Sequence, residues 1–124
     1  MACSKERKCI RMKMVIAIIR PENLDNVKQA LFDAQIRKMT VSSVRGCGQQ
    51  MGYTENYRGT IKTVNLLPKA RIEIVVNDAF VQPTIDAIIG AARSGSIGDG
   101  KIFVMPVEEV YRIRTGETGS VAIG

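Results

Sequence analysis

The segment MVIAIIRPENLDNVKQALFDA, residues 14–34, decides the fold because it places a strand directly before a helix. Its first part, Met14–Ile19, is apolar and rich in β-branched side chains, which predicts a strand buried on both faces. Arg20 and Pro21 end this run, and Pro21 suits the entry to a helix. Apolar residues then recur at helical spacing, which predicts a helix over residues 22–34.

The rest of the chain follows the same order a second time. Asp78 is a predicted N-cap, and Pro83 is expected either near the first turn of the helix that follows it or at a bend in that helix. The further predicted elements, in chain order, are strands at residues 39–44, 70–76 and 102–105, a helix after Asp78 whose apolar face runs over residues 81–92, an extended piece at 110–113 and a loose tail at 115–124. A glycine-rich loop at residues 94–100 separates the second helix from the last strand.

The order of these elements, β-α-β-loop-β-α-β, predicts an α+β chain with the ferredoxin-like βαββαβ fold. Its four strands would form one antiparallel sheet with both helices on one face. The other face would stay uncovered, and a closed symmetric oligomer is the usual way to bury such a face. Residues 46–67 hold four glycines and form either a long functional loop or a hairpin that extends the flanking strands.

The composition narrows the functional classes. The 124 residues, 45% hydrophobic and 24% charged, fit one globular domain without an apolar run of membrane-spanning length. A net charge of +6 favours anionic partners or reflects only a solvated basic surface. Three irregularly spaced cysteines favour a reducing, cytoplasmic compartment, and the absence of histidine excludes phosphohistidine chemistry. We expect a disordered extension at residues 1–11 before a domain at residues 12–124.

The strongest chemical signal is the motif Gly98–Lys101 (GDGK) at the start of the last predicted strand. Glycines let the backbone approach an anion, successive N–H groups can form a concave anion nest, and Lys101 adds a positive charge. Arg112 and Arg114 alternate on a short predicted strand, so they would project to the same side and could bind phosphate oxygens. The alternative is a tight turn into a strand, with both arginines in solvent.

Two more motifs lie in the long loop. Gly46–Gln50 (GCGQQ) begins where a strand ends and either lets a ligand approach the backbone or serves as a hinge. Tyr57–Gly59 (YRG) offers an exposed Tyr-Arg pair for docking to a partner, or forms a β-turn. Cys47 has no histidine to activate it, and the carboxylates show no acid–base spacing, which argues against catalysis. Glu73 alternates with two isoleucines, and the sequence identifies no partner for it.

Together these motifs resemble the PII nitrogen-regulatory signalling proteins over residues 12–116. The resemblance is most specific at residues 94–104 (SGSIGDGKIFV), which look like the C-terminal signature of that family. Further matches in order and spacing are residues 17–21 (AIIRP), 39–41 (MTV), 54–59 (TENYRG), 67–69 (LPK), 72–76 (IEIVV) and 112–117 (RIRTGE). So many matches in one order exclude a chance likeness.

The resemblance implies a homotrimer that binds ATP or ADP in clefts between subunits. The nucleotide-binding residues that it implies are Gly46, Gly48, Gln49, Glu73, Gly98, Asp99, Gly100 and Lys101, with Arg112 and Arg114 supplied by the neighbouring subunit. Gln50 would coordinate a Mg²⁺ ion that bridges the ATP phosphates and 2-oxoglutarate, and Lys69 would bind the 2-oxoglutarate carboxylate. Tyr57, Arg58 and Gly59, in the long mobile T-loop, would dock onto an Amt-type ammonium transporter at the membrane, or onto other nitrogen-metabolism enzymes and regulators.

The sequence departs from this family pattern at three positions of the loop. Lys62 replaces the tyrosine that many bacterial relatives modify, Gln49 replaces a common arginine or lysine, and Asn65 stands where an acidic residue is usual. Gln49 leaves 2-oxoglutarate binding open, so an adenylate-energy sensor is one alternative function. A nitrogenase-linked regulator is another, which the ordinary length of the loop ranks second. The lack of a nucleophile–base pair disfavours an enzyme, beyond a slow side ATPase activity, and the shortage of exposed aromatics disfavours nucleic-acid binding.

Overall fold

The computed structural model describes residues 12–47, 53–57, 60–64 and 66–123, of which residues 53–57 and 60–64 are described by their backbone alone. The strands are β1 (Met12–Ile19), β2 (Thr40–Gly46), β3 (Tyr53–Tyr57), β4 (Thr60–Val64), β5 (Leu67–Asn77) and β6 (Gly100–Pro106). The helices are α1 (Leu24–Asp33), α2 (Val81–Ala92) and α3 (Ser120–Ile123), and 3-10 turns at Pro21–Asn23 and Asp78–Phe80 precede α1 and α2. The predicted extension at residues 1–11 lies outside the described residues.

Four strands form a sheet in the order β2-β5-β1-β6, in which every neighbouring pair is antiparallel. The apolar run Met12–Ile19 occupies the inner strand β1 and pairs along its whole length with β5. The halves β1-α1-β2 and β5-α2-β6 therefore interlock, since each contributes one inner and one edge strand. This topology confirms the predicted α+β, ferredoxin-like βαββαβ fold.

Both helices pack on one face of the sheet, as predicted, because alternate strand residues supply the apolar surface that they need. The side chains that are at most 1% exposed in this layer are Val15, Ala17, Val27, Leu31, Ile72, Ile74 and Ile88. Burying a side chain of the size of valine or leucine contributes about 1.5–3 kcal/mol. This single layer between the helices and the sheet is therefore a main source of the fold's stability.

The opposite face of the sheet carries the other side chains of the same strands. Along β5 the buried residues alternate with half-buried ones, which include Lys69, Arg71 and Glu73. On β6, Phe103 and Met105 are 47% and 42% exposed. This face is therefore both charged and apolar, a combination suited to a ligand site or a subunit contact.

The start of α2 differs in one respect from the prediction. Asp78 is not the N-cap of α2, because it opens the preceding 3-10 turn, and its carboxylate pairs with Nζ of Lys13 at 3.2 Å. Phe80 holds the N-cap position, and no side chain caps it. Pro83 lies in the first turn of α2, as predicted, where the N–H that it lacks would have no helical partner.

The C-terminal segment is more ordered than predicted. The expected extended piece at residues 110–113 is not a strand, because Tyr111 forms only a single bridge, with Thr118, and residues 113–115 turn between them. The expected loose tail contains α3. The reason for both differences is a set of backbone hydrogen bonds within residues 110–122, which a pattern of side chains does not reveal.

The long loop contains regular structure in its described part. β3 and β4 pair as an antiparallel hairpin, with Tyr57 opposite Thr60, and they form a two-stranded sheet of their own. β2 and β5 stay paired as far as Gly46 and Leu67. The described part of this loop therefore contains a hairpin, and this hairpin belongs to a different sheet from β2 and β5.

Candidate functional site

A cavity of about 550 Å³ opens where the end of β2 meets the starts of β5 and β6. Its lining residues are Ile18, Gly46, Cys47, Leu67, Lys69, Ser96, Ile97, Gly98, Asp99, Gly100, Lys101 and Phe103. The sheet brings these distant segments together because β5 and β6 pair with opposite edges of β1 and β2 pairs with β5. Of the predicted site residues, Gly46, Lys69 and the Gly98–Lys101 motif all line this one cavity.

Two glycines give the loop before β6 its shape. Gly98 and Gly100 have φ angles of +101° and +113°, in the left-handed region that other residues rarely adopt. Gly100 also lies opposite Ile19 in the pairing of β1 with β6. A Cβ at this position would overlap the carbonyl oxygen of Ile18, so only glycine lets the loop approach β1 so closely.

The carboxylate of Asp99 holds the loop closed. It accepts hydrogen bonds from the backbone N–H of Ser94 at 2.7 Å, from the N–H of Gly95 at 2.9 Å and from the hydroxyl of Ser94. Nε of Arg20 lies 3.8 Å from the same carboxylate. Asp99 lines the cavity, but its carboxylate accepts hydrogen bonds from the loop itself. These contacts and Arg20 partly compensate the negative charge that an anionic ligand would otherwise meet.

The same contacts predict how the loop responds to acid. The hydrogen bonds from the hydroxyl and then the N–H of Ser94, with smaller effects of Gly95 and Arg20, hold the pKa of Asp99 below its usual range against a partly opposing desolvation. Because the folded-state pKa is lowered, this carboxylate stabilises the loop fully above about pH 4 and loses that effect as the pH falls through the lowered pKa. We expect the amide signals of Ser94 and Gly95 in NMR spectra to titrate with a midpoint below the ordinary aspartate value.

The Asp99→Asn variant is the control for this titration, because it should abolish the acid transition of both amides. A midpoint at or above the ordinary aspartate value would contradict the expected closing role of the carboxylate.

Two lysines supply positive charge to the cavity. Lys101 lies opposite Ile18 in the sheet and is exposed, and it forms no ion pair with another described residue. Lys69 lies opposite Val44 and is half-buried. Because the two come from different strands and line the same cavity, an anion bound there would meet both cations.

The predicted nucleotide-binding residue Glu73 lies on the same sheet face but does not line this cavity. Its carboxylate accepts a hydrogen bond from Nε of Arg71 at 2.9 Å, which supplies the partner that the sequence did not identify. Each of these side chains is about one-third exposed, and such pairs contribute at most about 1 kcal/mol in water. The pair therefore orients Glu73 more than it stabilises the fold.

The two predicted phosphate arginines do not meet the Gly98–Lys101 motif within one chain. Neither Arg112 nor Arg114 lines the cavity, and the two do not project from one side of a strand as predicted, because residues 113–115 form a turn. Arg112 instead forms an ion pair with Glu117, between Nη1 and Oε1 at 3.0 Å, and donates from Nη2 to a backbone carbonyl of α3.

The remaining predicted site residues lie in the less described part of the chain. Gly48, Gln49, Gln50, Arg58 and Gly59 lie outside the described residues. Tyr57 is described by its backbone alone, as the last residue of β3. The predictions that Gln50 binds magnesium, that Gly48 and Gln49 bind the nucleotide, and that residues 57–59 dock onto a partner therefore stay predictions.

Arg20 is a site residue that the sequence analysis missed, since it appeared there only as the end of a strand. Its guanidinium donates to the carbonyl oxygens of Ile97 and Gly98 in the glycine-rich loop. The sequence did contain a signal, namely a cation directly after β1 and before Pro21. Such a residue lies next to the start of β6 once β1 and β6 pair. The strand pairing that turns this signal into a contact is not visible in the sequence.

Two features are absent from the part of the chain that the structure describes. No group of three or more cysteine or carboxylate side chains there could hold a metal ion. No helix there is both long and apolar enough to cross a membrane.

Fold and site together define a ferredoxin-like domain with a glycine-rich, cationic cavity at one end of its sheet. Over residues 12–117 the chain matches the family model described as Nitrogen regulatory protein P-II. It is 59% identical to the nitrogen regulatory protein P-II of Nostoc punctiforme over 112 residues, and these residues are 90% of this chain and 100% of that protein. It is 54% identical over 114 residues to the nitrogen regulatory protein P-II 2 of Methanothermobacter thermautotrophicus, with 92% and 99% covered.

A third relative is the nitrogen regulatory protein P-II of Synechocystis, which is 57% identical over 112 residues, or 90% of this chain and 100% of that protein. The chain therefore belongs to the P-II family of nitrogen regulatory proteins, which confirms the resemblance. The family is defined as one of regulators rather than by a catalysed reaction.

Proposed function

We propose that this chain is a trimeric sensor that binds ATP or ADP and 2-oxoglutarate and regulates nitrogen metabolism by docking onto partner proteins. The observation that carries the proposal is the cavity of about 550 Å³, in which Gly46, Lys69 and the Gly98–Lys101 motif meet although they lie far apart in the sequence. A volume of this order is typical of small-molecule sites. Lysines and glycine N–H groups suit a ligand that carries phosphates and carboxylates.

The nucleotide would lie between subunits. Arg112 and Arg114 do not line the cavity of a single chain, so a neighbouring copy would have to supply them. The edge strand β6 supports such a contact, since Val104 and Met105 are each 42% exposed. Beside it lies a second cavity of about 450 Å³, lined largely by isoleucines of α2 and apolar residues of β6. An unpaired strand edge next to an apolar groove is a surface that assembly would cover.

Gln50 is the proposed protein ligand of Mg²⁺, which prefers oxygen ligands and commonly relies on substrate phosphates for most of them. The bound ion would supply the link between the ATP phosphates and 2-oxoglutarate. Lys69 would pair with a carboxylate of 2-oxoglutarate, and Lys101 with the phosphates. ATP and ADP would compete for one cavity, because both would use the same glycine-rich loop.

Partner recognition belongs to Tyr57, Arg58 and Gly59 in this proposal, at the connection between β3 and β4. Tyrosine and arginine are enriched at binding hot spots. An Amt-type ammonium transporter is the first proposed partner, and it would bring a cytoplasmic protein to the membrane; other nitrogen-metabolism enzymes or regulators are further ones. If ATP with 2-oxoglutarate and ADP favour different loop conformations, a coupling of roughly 1–3 kcal/mol would suffice for the switch.

Calorimetry tests the proposal directly. We expect 2-oxoglutarate to bind with Mg-ATP present, and neither with Mg-ADP nor without nucleotide. The Lys69→Ala substitution should lower the affinity for 2-oxoglutarate about 10–100-fold, because a charged hydrogen-bond partner is lost, while ATP alone should bind as before. Lys28→Ala is the matched control, since Lys28 lies on α1, on the helix-covered face away from the cavity.

The other outcomes separate the alternatives. Tight nucleotide binding without any 2-oxoglutarate binding would support an adenylate-energy sensor instead. Absence of binding for both ATP and ADP would overturn the proposal. Steady phosphate release during the ATP titration would reveal the side ATPase activity.

A further inference from the structure

The guanidinium of Arg20 donates two hydrogen bonds to the backbone of the glycine-rich loop. Its Nη2 donates to the carbonyl oxygen of Ile97 at 2.6 Å, and its Nε donates to the carbonyl oxygen of Gly98 at 3.1 Å. The side chain is 26% exposed, and it also lies 3.8 Å from the carboxylate of Asp99. Two consecutive peptide carbonyls are therefore held by one rigid, planar cation.

The direction of these carbonyls determines the direction of two N–H groups. In a trans peptide unit the C=O of one residue and the N–H of the next point in opposite directions, and the described chain has no cis peptide bond. Because the carbonyls of Ile97 and Gly98 point at Arg20, the N–H groups of Gly98 and Asp99 point away from it. Neither N–H donates a well-formed hydrogen bond to another described residue, since that of Asp99 only closes the loose turn at residues 97–98.

The loop borders the cavity directly, through Ile97, Gly98 and Asp99, and Arg20 stays outside its lining. Several earlier N–H groups of the loop are already used, since those of Ser94 and Gly95 donate to Asp99 and that of Ser96 donates to the hydroxyl of Ser94. The two N–H groups that Arg20 turns away from itself are therefore available to donate to an anion.

We propose that Arg20 is a positioning residue for nucleotide phosphate: its guanidinium holds the carbonyls of Ile97 and Gly98 outside the cavity, so that the N–H groups of Gly98 and Asp99 face inward as an anion nest. This inference rests on the proposed function, since it assigns a phosphate to the same cavity. Arg20 itself does not touch the ligand. Without its hold, either peptide unit could rotate and present a carbonyl oxygen, which would repel the phosphate.

The local sequence explains why an arginine can act from this position. Arg20 continues β1 directly after Ile19, which lies opposite Gly100 in the β1–β6 pairing. Pro21 then keeps Arg20 extended, with φ −67° and ψ 137°, because the residue before a proline avoids helical angles. The side chain consequently leaves the end of β1 at the level of the loop that precedes Gly100.

The test compares ADP with adenosine in the Arg20→Gln and Arg20→Lys variants of the full chain, by calorimetry or by competition. We expect both variants to bind ADP about tenfold more weakly and adenosine within about twofold of the unmodified protein, because only the phosphate site is disturbed. Lysine should fail as glutamine does, since one ammonium group cannot hold two carbonyls in the fixed geometry of the guanidinium fork. Lys28→Gln, which removes one charge from α1, should leave both affinities unchanged.

A second measurement keeps the inference testable when no nucleotide is present. Amide hydrogen exchange at Gly98 and Asp99 should change in both Arg20 variants, while exchange at the core strands β1 and β5 should not. Normal ADP affinity in Arg20→Lys would mean that charge alone matters and would overturn the inference. Equal losses for ADP and adenosine would overturn it as well, because they would indicate general damage to the cavity. Failure of the unmodified chain to bind ADP would instead contradict the proposed function.

Discussion

The Gly100→Ala substitution is expected to lower the free energy of unfolding by roughly 2–6 kcal/mol, a large loss for a single added methyl group. Two independent effects add at this position. The φ angle of +113° is strained for any residue with a Cβ, and the new Cβ would overlap the carbonyl oxygen of Ile18. That oxygen belongs to the backbone of β1, so β1 and β6 would have to separate to make room.

Two other glycines serve as controls for these effects. Gly95 has φ +86°, and a methyl group added there would meet no other atom within 4 Å, so Gly95→Ala should cost about 1–2 kcal/mol of strain alone. Gly90 lies within α2 with open space around it, and Gly90→Ala should stabilise the protein by about 0.5–1 kcal/mol. Urea denaturation at one fixed protomer concentration measures all three variants on the same scale, which matters if the chain assembles.

The order of the three results is what tests the geometry of the loop. A Gly100→Ala protein that loses no more stability than Gly95→Ala would contradict the close approach of the loop to β1. It would mean that the loop adjusts at little cost, and the narrow geometry of the cavity wall would then be in doubt.

The fold could be predicted from the sequence because its signals are local. The apolar run Met14–Ile19 and the alternation at residues 70–76 both indicate strands, and helical spacing indicates α1 and α2. Their order then leaves few topologies, since β-α-β halves with helices on one face produce this sheet. The prediction for Asp78 was wrong because this residue opens the 3-10 turn before α2, and its carboxylate forms an ion pair with Lys13 of β1.

The site could be predicted only in part, because its remaining contacts are long-range. The glycines at 98 and 100 indicate a close approach of backbone, but the sequence does not say that β1 is what they approach. Arg20 and the loop carbonyls are separated by 77 and 78 positions, so no spacing rule connects them. Likewise the ion pair of Arg112 with Glu117 depends on a turn at residues 113–115. The alternation of Arg112 and Arg114 predicted a strand there instead.

The second large effect is expected at Lys101, as a loss of nucleotide affinity rather than of stability. Lys101→Ala should weaken ATP binding about 10–100-fold, because a charged partner of the phosphates is removed. The stability should change little, since the side chain is exposed and forms no ion pair with a described residue. Arg112→Ala should have a smaller effect on ATP, because Arg112 must first give up its contact with Glu117 before it can bind a phosphate.

Comparison of the two cavity lysines tests whether each contacts a different ligand. Lys101→Ala should weaken the binding of ATP most, of ADP less and of adenosine least. Lys69→Ala should leave the affinity for ATP without 2-oxoglutarate unchanged and abolish most 2-oxoglutarate binding. Both lysines line the same cavity, so a general disturbance of its electrostatics would affect both ligands in both variants. Lys101→Arg should recover part of the ATP affinity, because the charge is retained on β6. If Lys69→Ala and Lys101→Ala gave the same profile across ATP, ADP and 2-oxoglutarate, the division of the cavity into a phosphate side and a keto-acid side would be wrong.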